Sequence, residues 1–276
     1  MPADHQKECL IDIGLNLSNK RFRKDIEEVL TKARAAGLSH CVLTGTDIES
    51  SAQVLALCKR YATGFPGMLH CTAGVHPHEA RHWRSETSAA LEELLIAPEV
   101  VAIGETGLDF NRDFSPRDQQ EQVFEYQLEL AARFNKPVFM HERDAHQHQL
   151  AILRSYRSNF ECGVIHCFTG DKASLFNYLD LDLHIGITGW VCDERRGSEL
   201  RDLVRHIPLN RLMLESDAPY LIPRNIRPKP SSSRNEPAYL PWVLKSLAAH
   251  RVEGAEEIAV ATTKTAKRFF KLDNPA

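Results

Sequence analysis

The sequence lacks the features that mark secreted proteins, membrane proteins and zinc knuckles. Its 276 residues include seven cysteines, which are dispersed along the chain and form no Cys-x-x-Cys pair. Such a pattern predicts free thiols in a reducing compartment rather than a disulfide framework. The first residues contain no apolar signal core, and no apolar run reaches the length that crosses a membrane. We therefore predict a cytoplasmic protein with no membrane attachment, and the sequence gives no sign of an obligate protein partner.

The sequence also lacks an excess of positive charge. Lys and Arg number 34 against 37 Asp and Glu, which gives a formal net charge of −3. This balance excludes a protein that coats nucleic acid with positive charge, as a histone does. It leaves room for a local basic patch, because the net charge averages over the whole surface.

Eight short apolar runs recur along the chain, and their starts lie 22 to 37 residues apart. They are LIDIGL from Leu10, CVLTG from Cys41, LHCTAGV from Leu69, VVAIG from Val100, PVFMH from Pro137, CGVIHCF from Cys162, HIGITGW from His184 and RLMLESDAP from Arg211. Continuous apolar runs of this kind are typical of parallel strands, and each crossover to the next strand needs a helix. One such helix is predicted between Phe22 and Gly37, where apolar residues recur with a helical period.

A glycine-rich phosphate loop is missing after the first run, where IDIGLN contains a single glycine. An open doubly wound sheet usually carries that loop, so its absence favours a closed barrel. The chain length is also normal for such a barrel, which needs about 250 residues. We therefore predict an α/β fold, a (β/α)8 TIM barrel, that forms a single domain over residues 1–276.

Polar side chains with metal-binding chemistry end five of the eight runs. In chain order they are His76 and His78, Glu105, His141, His166 and Asp217. Parallel barrel strands all point the same way, so these side chains converge at one mouth of the barrel. Two carboxylates and two imidazoles in one cavity need a compensating charge, and both groups are ligands of divalent ions. The set predicts a metal site with Glu105, His141, His166 and Asp217 as ligands.

Each of these residues alone has a simpler interpretation. A single histidine at a strand end usually just makes a hydrogen bond, and a carboxylate there often caps the next helix. Capping is an open alternative for Asp217, which precedes Ala218 and Pro219. The coincidence of four such residues at four strand ends favours the metal site. Cys167 follows His166 and is expected to point the other way, into packing, so we do not predict a nucleophilic role for it.

Several longer motifs resemble those of the TatD family of metal-dependent deoxyribonucleases, and most closely its bacterial TatD branch. They are AGVHPHEA, IGETGLDF, PVFMHERDAH, GVIHCFTG, IGITGWVCDERRG, LESDAPYL and PKPSSSRNEP, and the similarity runs from about Ile11 to Phe270. The resemblance implies a TIM barrel of the metallo-dependent hydrolase superfamily with magnesium-supported nuclease activity; manganese and zinc are the alternative metals. It also implies a cytoplasmic 3′-to-5′ exonuclease that acts on single-stranded DNA, by extension on RNA, and serves DNA repair.

The resemblance assigns roles to individual residues. It implies that Glu105, His141 and His166 bind the metal, and that Asp217 completes the shell or takes a proton from the attacking water. The two histidines of HPH, His76 and His78, would line the substrate side of the pocket. There we expect them to act as catalytic groups that bind the scissile phosphate or protonate the leaving oxygen.

Some positions depart from the family pattern. Much of the superfamily has a His-x-His pair after strand one, where IDIGLN offers Gly14 and Asn16, a replacement that the TatD branch shares. Thr106 and Glu142 stand where cysteines are common in this branch, and both are expected to point away from the pocket. We predict that Asn16 and Glu215 support the ligands from behind, with Glu215 fixing an imidazole orientation.

Several residues are candidates to hold the substrate. Arg143 shares the parity of His141, and Trp190 follows the seventh run, where it is placed to stack on a base or equally to pack. The segment 223–237 is rich in proline and serine and carries Arg224, Arg227 and Arg234. On composition alone this segment is equally a solvated surface loop, but its position after the eighth strand favours a substrate-contacting loop.

Two alternative functions remain open at this point. The same ligands can hydrolyse an amide, ester or lactone, or remove a D-amino acid from tRNA, as is attributed to TatD relatives. The basic segment and Arg143 favour a phosphate-bearing substrate over a small neutral one. A non-catalytic nucleic-acid-binding scaffold is the second alternative, and its only support is the missing His-x-His pair after strand one.

Overall fold

The computed structural model describes residues 9–272, in which eight parallel strands form one sheet. The strands are β1 (Leu10–Leu15), β2 (Leu38–Leu43), β3 (Leu69–Ala73), β4 (Val100–Asp109), β5 (Val138–Arg143), β6 (Gly163–Ile165), β7 (His184–Ile187) and β8 (Leu212–Leu214). Each strand pairs in parallel with the next one along the chain. This order is what a chain of right-handed strand–helix–strand units produces.

Helices fill the connections and cover the outside of the sheet. They are α1 (Ile26–Ala35), α2 (Ile48–Tyr61), α3 (Ser85–Leu95), α4 (Arg117–Phe134), α5 (His146–Tyr156), α6 (Lys172–Asp180), α7 (Ser198–Leu203), α8 (Leu240–Ala248) and α9 (Ala255–Phe270). The predicted helix between Phe22 and Gly37 begins only at Ile26, because Phe22 lies in the preceding turns although it is fully buried. Across residues 9–272, no helix combines the length and the apolar character needed to cross a membrane.

The sheet closes between β8 and β1. Leu15 and Ala218 form a parallel bridge, the N–H of Asn16 donates to the Ala218 carbonyl at 2.8 Å, and the N–H of Asp217 donates to the Gly14 carbonyl at 2.9 Å. The predicted (β/α)8 barrel is therefore confirmed. The single domain over residues 1–276 stays a prediction, since residues 1–8 and 273–276 lie outside the described part.

The barrel interior is apolar over most of its depth. Side chains from six strands form one inner cluster, against which Phe269 and Phe270 of α9 pack. Its strand members are Ile11, Ile13, Val42, Ala102, Phe139, Val164 and Met213. Since these residues precede the polar strand ends in sequence, the apolar filling ends where the polar residues begin, at the carboxyl ends of the strands.

The sequence predicted that the polar residues end their strands, but in the structure some of them lie inside a strand. Glu105 lies inside β4 and His141 inside β5, whereas His166 and Asp217 follow β6 and β8. The extension of β4 depends on Gly107, which pairs with His141 at a φ of 124°. A Cβ at this position would overlap the His141 carbonyl oxygen, so only glycine lets the two strands approach this closely.

Candidate active site

A cavity of about 440 Å³ opens at the carboxyl end of the barrel, and every predicted ligand and catalytic residue lines it. These residues are His76, His78, Glu105, His141, His166 and Asp217. They come from β4, β5 and the loops after β3, β6 and β8, so the fold gathers groups that are up to 141 residues apart in the sequence (217 − 76).

Three imidazole rings surround one carboxylate oxygen. Glu105 Oε1 lies 2.8 Å from His166 Nε2, 3.1 Å from His141 Nδ1 and 3.3 Å from His76 Nε2. Burial on its own would raise the pKa of Glu105, but the imidazoles of His166 and His76 and the hydrogen bond from His141 hold it well below its usual range. Glu105 is therefore an anion deep in the cavity.

The other ring nitrogens decide which histidines can bind a metal. His141 Nε2 lies 3.2 Å from Asp109 Oδ2, and His166 Nδ1 lies 2.8 Å from Glu215 Oε1. Each of these carboxylates accepts a hydrogen bond from its ring, and the opposite nitrogens, His141 Nδ1 and His166 Nε2, face Glu105. Burial on its own would lower the pKa of both imidazoles, but the carboxylates of Asp109 and Glu105 raise that of His141, and those of Glu105 and Glu215 raise that of His166 well above its usual value. A divalent ion would replace the proton on His141 Nδ1 and His166 Nε2, while the carboxylates behind the rings keep the proton on the opposite nitrogen. Carboxylates support metal-binding histidines in this way in many proteins.

His76 has the opposite arrangement. Its Nδ1 accepts the backbone N–H of His78 at 3.1 Å, so the proton of the neutral ring is on Nε2. Burial, and then repulsion from His141 and His78, outweigh the attraction of Glu105 and lower the pKa of His76 to about 4, which keeps the ring neutral. Ligand atoms of His76, Glu105 and His141 lie within 4.8 Å of one another. The tautomer nevertheless makes His76 a hydrogen-bond donor rather than a metal ligand.

Glu215 is the fully buried support that the sequence predicted behind an imidazole. Its Oε1 holds His166, and its Oε2 accepts the N–H of Cys167 at 3.0 Å. Two glycines make room for this carboxylate, since a Cβ on Gly14 would lie 2.5 Å from Oε1 and one on Gly186 would lie 2.8 Å from Oε2. The glycine in IDIGLN is therefore required by the bulk of Glu215.

Asp217 is held in place by the strand-one segment. Asn16 Nδ2 donates to Asp217 Oδ1 at 2.9 Å, and Asp217 adopts a left-handed φ of 50°. Burial, followed by the negative charges of Glu215 and Glu105, raises the pKa of Asp217 to about 8. The side chain is bound by Asn16, which argues against the alternative that it caps a helix.

These observations fit a divalent metal ion. Burial and the negative charges of Glu215 and Glu105 keep Asp217 largely protonated near neutral pH, and a cation would favour its charged form and relieve this repulsion. Two imidazole nitrogens and a carboxylate oxygen face the same small volume. Imidazole nitrogen and carboxylate oxygen are standard ligands of zinc, manganese and related ions.

Asp109 is a further candidate for a functional residue, and it was not identified from the sequence. Its Oδ2 lies 2.7 Å from His78 Nε2 and 3.2 Å from His141 Nε2, and its Oδ1 accepts the N–H groups of Asn111 and Arg112. Burial would raise its pKa, but the hydrogen bonds, led by that from His141, hold it below the usual range. Asp109 shares the parity of Glu105 and Gly107 on one strand, and this signal was available in the sequence.

Cys167 does not point into packing as predicted. It has a left-handed φ of 46°, which turns its half-buried side chain into the cavity, with Sγ 3.5 Å from Thr188 Oγ1. Burial, followed by the charges of Asp217 and Glu215, raises the pKa of this thiol well above its usual value. A protonated thiol is a poor nucleophile, which agrees with the absence of a predicted nucleophilic role.

The two residues that replace cysteines behave differently from each other. Thr106 is fully buried and its hydroxyl accepts from Gln127 Nε2 at 2.7 Å, which places it on the outer face of the sheet, as expected. Glu142 lines the cavity, contrary to the expectation that it points away. Its Oε1 accepts the N–H of Ala145 at 2.8 Å and so fixes the turn before α5.

The predicted substrate-binding residues Arg143, Trp190 and Arg224 line three different cavities. Arg143 lines the catalytic cavity and a second cavity of about 860 Å³, which Trp190 also lines. Arg224 lines a third cavity of about 220 Å³ and pairs with Asp193 at 2.9 Å. The structure thus places Arg143 at the wall of the catalytic cavity, and it places Trp190 and Arg224 in neighbouring cavities.

Arg234 is engaged elsewhere. Its guanidinium forms two hydrogen bonds to Asp25, at 2.9 and 2.6 Å, pairs with Glu236 at 2.7 Å and lies 5.0 Å above the Phe22 ring. Arg227 donates to the carbonyls of two preceding residues of its own loop. The geometry therefore gives Arg234 a role in anchoring the loop to the segment before α1, and substrate binding by it stays a prediction.

Comparison with known proteins yields consistent matches. A family model described as TatD related DNase matches residues 11–271. A relative from Edwardsiella piscicida named 3′-5′ ssDNA/RNA exonuclease TatD is 49% identical and covers 95% of this chain and 100% of its own. A relative of the same name from Salmonella typhimurium strain LT2 is 47% identical and covers 95% of this chain and 99% of its own.

Solved structures give the same result. The crystal structure of YJJV, a TatD homologue from Escherichia coli K12, has 30% identity and a TM-score of 0.84, with coverage of 95% of this chain and 98% of its own. A TatD family hydrolase from Entamoeba histolytica has 25% identity and a TM-score of 0.84, with coverage of 94% and 97%. Sequence and structure agree over nearly the whole length, and the chain belongs to the TatD-related DNase family of hydrolases.

Proposed function

We propose that this protein is a metal-dependent 3′-to-5′ exonuclease that hydrolyses phosphodiester bonds in single-stranded DNA, and also in single-stranded RNA. The observation that carries the proposal is the arrangement of imidazole nitrogens around Glu105 Oε1 in an open cavity at the carboxyl end of the barrel. The relatives at 47–49% identity are named for this activity. Magnesium is the proposed physiological metal, with manganese or zinc as substitutes.

Glu105, His141 and His166 are proposed to hold the metal, and Asp217 completes the set. The orientation of the two histidines supports this assignment, because Asp109 and Glu215 bind the ring nitrogens that face away from Glu105. When bound, a divalent ion supplies Lewis-acid stabilisation of the negative charge on the phosphate. By holding such an ion, Glu105, His141 and His166 would determine where the substrate phosphate binds in the cavity.

The remaining polar groups are proposed to bind the phosphate and move protons. His76 presents its Nε2–H as a donor to a phosphate oxygen, because its Nδ1 already accepts a backbone N–H. Asp217, whose Oδ1 is held by Asn16, accepts a proton from the attacking water through Oδ2 when it is in its deprotonated form. His78 delivers a proton to the oxygen that leaves when the phosphorus–oxygen bond breaks, and Asp109 stabilises its protonated ring.

A digestion assay tests this function. A single-stranded oligonucleotide labelled at its 5′ end is incubated with the protein and magnesium, manganese, zinc or a chelator. We expect stepwise shortening from the 3′ end that needs metal, and at least a 100-fold loss of rate in Glu105→Gln. Glu28→Gln, on the exposed face of α1, is the matched control.

Two results would overturn the proposal. One is Glu105→Gln protein that shortens the strand as fast as the wild type, and the other is a chelator-resistant activity. D-tyrosyl-tRNA, tested in parallel, separates nuclease action from deacylation, because only a deacylase would release the amino acid.

The cellular role belongs to the same proposal. The family resemblance implies a cytoplasmic location and a function in DNA repair. A strand-processing exonuclease is consistent with both.

A further inference from the structure

Three neighbouring cavities form a track across the carboxyl face of the barrel. The catalytic cavity shares Glu142, Arg143 and Thr169 with the cavity of about 860 Å³. That larger cavity shares Trp190 and Arg196 with the cavity of about 220 Å³. A path therefore leads from the catalytic centre past Arg143 to Trp190 and Arg196.

The walls of the large cavity carry two guanidinium–aromatic pairs. The Arg117 guanidinium lies 4.4 Å from the centre of the Phe110 ring, and that of Arg196 lies 5.5 Å from the centre of the Trp190 ring. Aromatic rings and guanidinium planes are the surfaces on which proteins stack unpaired bases. Stacking of this kind accepts any base, since every base has a flat face.

Two of the arginines on this track are available to bind phosphate. Among residues 9–272, neither Arg143 nor Arg196 forms an ion pair, which would require a carboxylate oxygen within 4.0 Å of a guanidinium nitrogen. Both side chains are exposed. Arg117, in contrast, already pairs with Asp113 at 2.7 Å.

Most acidic groups of the large cavity are engaged in local hydrogen bonds. Asp171 accepts the N–H and hydroxyl of Ser174 at the start of α6, Asp144 accepts from the Asn111 amide, and Glu142 holds the turn before α5. Glu199, exposed in the first turn of α7, is the exception. Three of the four carboxylates therefore each hold a local hydrogen bond, although Asp144 and Asp171 are exposed, as Arg143 and Arg196 are.

We propose that this track is an extended subsite that binds the single strand beyond the nucleotide being cleaved, with Arg196 and Trp190 as its phosphate and base contacts. The inference rests on the proposed exonuclease function, because only a polymer reaches both cavities at once. A cavity of about 440 Å³ suits one nucleotide-sized ligand, and the larger cavity has room for more of the strand. The enzyme consequently selects substrates by length and not by base.

Kinetics with substrates of two lengths test the subsite. We compare kcat/KM for an eight-nucleotide strand with kcat/KM for a dinucleotide, which reaches only the catalytic cavity. The wild type is expected to prefer the longer strand by at least about 10-fold, and Arg196→Ala is expected to reduce this ratio by about 10-fold. Arg196→Lys keeps the positive charge but lacks the planar guanidinium group, so we expect its preference for the longer strand to lie between those of Arg196→Ala and the wild type. Arg205→Ala, an exposed arginine paired with Asp202, is the matched control.

Binding separates failure of the subsite from failure of the exonuclease. Anisotropy of labelled strands is measured on Glu105→Gln protein with magnesium, with and without Arg196→Ala. If Arg196→Ala removes one phosphate contact, the slope of the logarithm of the association constant against the logarithm of the salt concentration should become shallower by about 0.7 for the eight-nucleotide strand. Equal length ratios and equal slopes in Arg196→Ala and Arg205→Ala would overturn the subsite, even if cleavage is observed. Length-dependent binding that Arg196→Ala weakens, without any cleavage, would support the subsite and reject the exonuclease.

Discussion

At the scale of single residues, a carboxylate orients three of the four imidazoles in the cavity, and His76 is the exception because it accepts a backbone N–H. Asp109 Oδ2 serves two rings at once, His78 at 2.7 Å and His141 at 3.2 Å. Its Oδ1 is occupied by two backbone N–H groups. Both oxygens of this carboxylate already accept hydrogen bonds, so a substitution of Asp109 affects both histidines.

Asp109→Asn should therefore weaken metal binding without unfolding the protein. The amide has one oxygen, so either the two imidazoles or the two backbone N–H groups lose their acceptor. We expect manganese affinity and kcat/KM to fall about 10- to 100-fold, the usual cost of removing a carboxylate behind a metal-binding histidine. Calorimetric titration with manganese measures the affinity, and Asp202→Asn, an exposed carboxylate, is the control. Wild-type affinity in Asp109→Asn would contradict the role of Asp109.

The residue scale also shows what the sequence can and cannot reveal. Glu105, His141, His166 and Asp217 were predictable because each interrupts or follows an apolar run. Asp109 was missed because the predicted fourth strand ended at Glu105, and parity was not followed further. Cys167 was predicted to face away because alternation was assumed past the strand end, whereas its left-handed backbone breaks that alternation.

At the scale of strands and helices, close contact between β4 and β5 positions Glu105 beside His141. Gly107 permits that contact, because it has no side chain and tolerates a φ of 124°. Any Cβ there would overlap the His141 carbonyl.

Gly107→Ala should cost about 2–5 kcal/mol of unfolding free energy, the sum of backbone strain and overpacking. Gly67→Ala is a matched control, because Gly67 also has a positive φ of 68° but a Cβ there meets nothing within 4 Å. The control should lose only about 1–2 kcal/mol from the left-handed conformation. Urea denaturation of both variants gives the comparison. Equal losses would show that β4–β5 contact contributes nothing to the requirement for glycine.

A second element-scale prediction concerns the first residue of β7. Burial, followed by repulsion from Arg211, lowers the pKa of His184 from 6.5 to about 4. The unfolded chain therefore binds a proton more readily than the folded protein between these values. This residue's contribution to stability is complete above pH 6.5 and is lost as the pH falls toward 4.

His184→Gln should remove this dependence on pH. Between pH 7 and pH 5 the wild type should lose about 2 kcal/mol more stability than the variant, measured by urea denaturation at both pH values. Both proteins retain the other buried histidines, so the contributions of those residues cancel when the pH dependence of the unfolding free energy is compared. Parallel stability curves for the two proteins would show that His184 is not the titrating group.

Element boundaries were less predictable than the elements themselves. The apolar runs indicated eight strands, but β6 and β8 contain only three residues each, and β4 contains ten. Strand length depends on the register with the neighbouring strand, which lies far away in sequence. Phe22 illustrates the same limit, because its helical spacing reflects burial beside Arg234 and not membership of α1.

At the scale of the whole molecule, the barrel separates stability from chemistry. Apolar side chains fill its interior toward the amino ends of the strands, where Phe269 and Phe270 of α9 pack against them, and the polar cavity occupies the carboxyl ends. The fold class was predictable because the periodic strand–helix pattern extends over the entire chain. The cavity track past Arg143 was not, because its lining combines residues from loops after several strands.

A bound metal should stabilise the whole protein, since its proposed ligands come from β4, β5 and the loops after β6 and β8. Saturation at 100 times the dissociation constant adds about 2.7 kcal/mol to the folded state, which corresponds to roughly 5–10 °C in Tm for a chain of this size. Chelator should reverse the shift, as followed by circular dichroism with and without manganese. Glu105→Gln should lose most of the shift, because the ion then lacks its central carboxylate, whereas Glu28→Gln should retain it. A manganese shift of equal size in both variants would mean that the ion binds somewhere other than the cavity around Glu105.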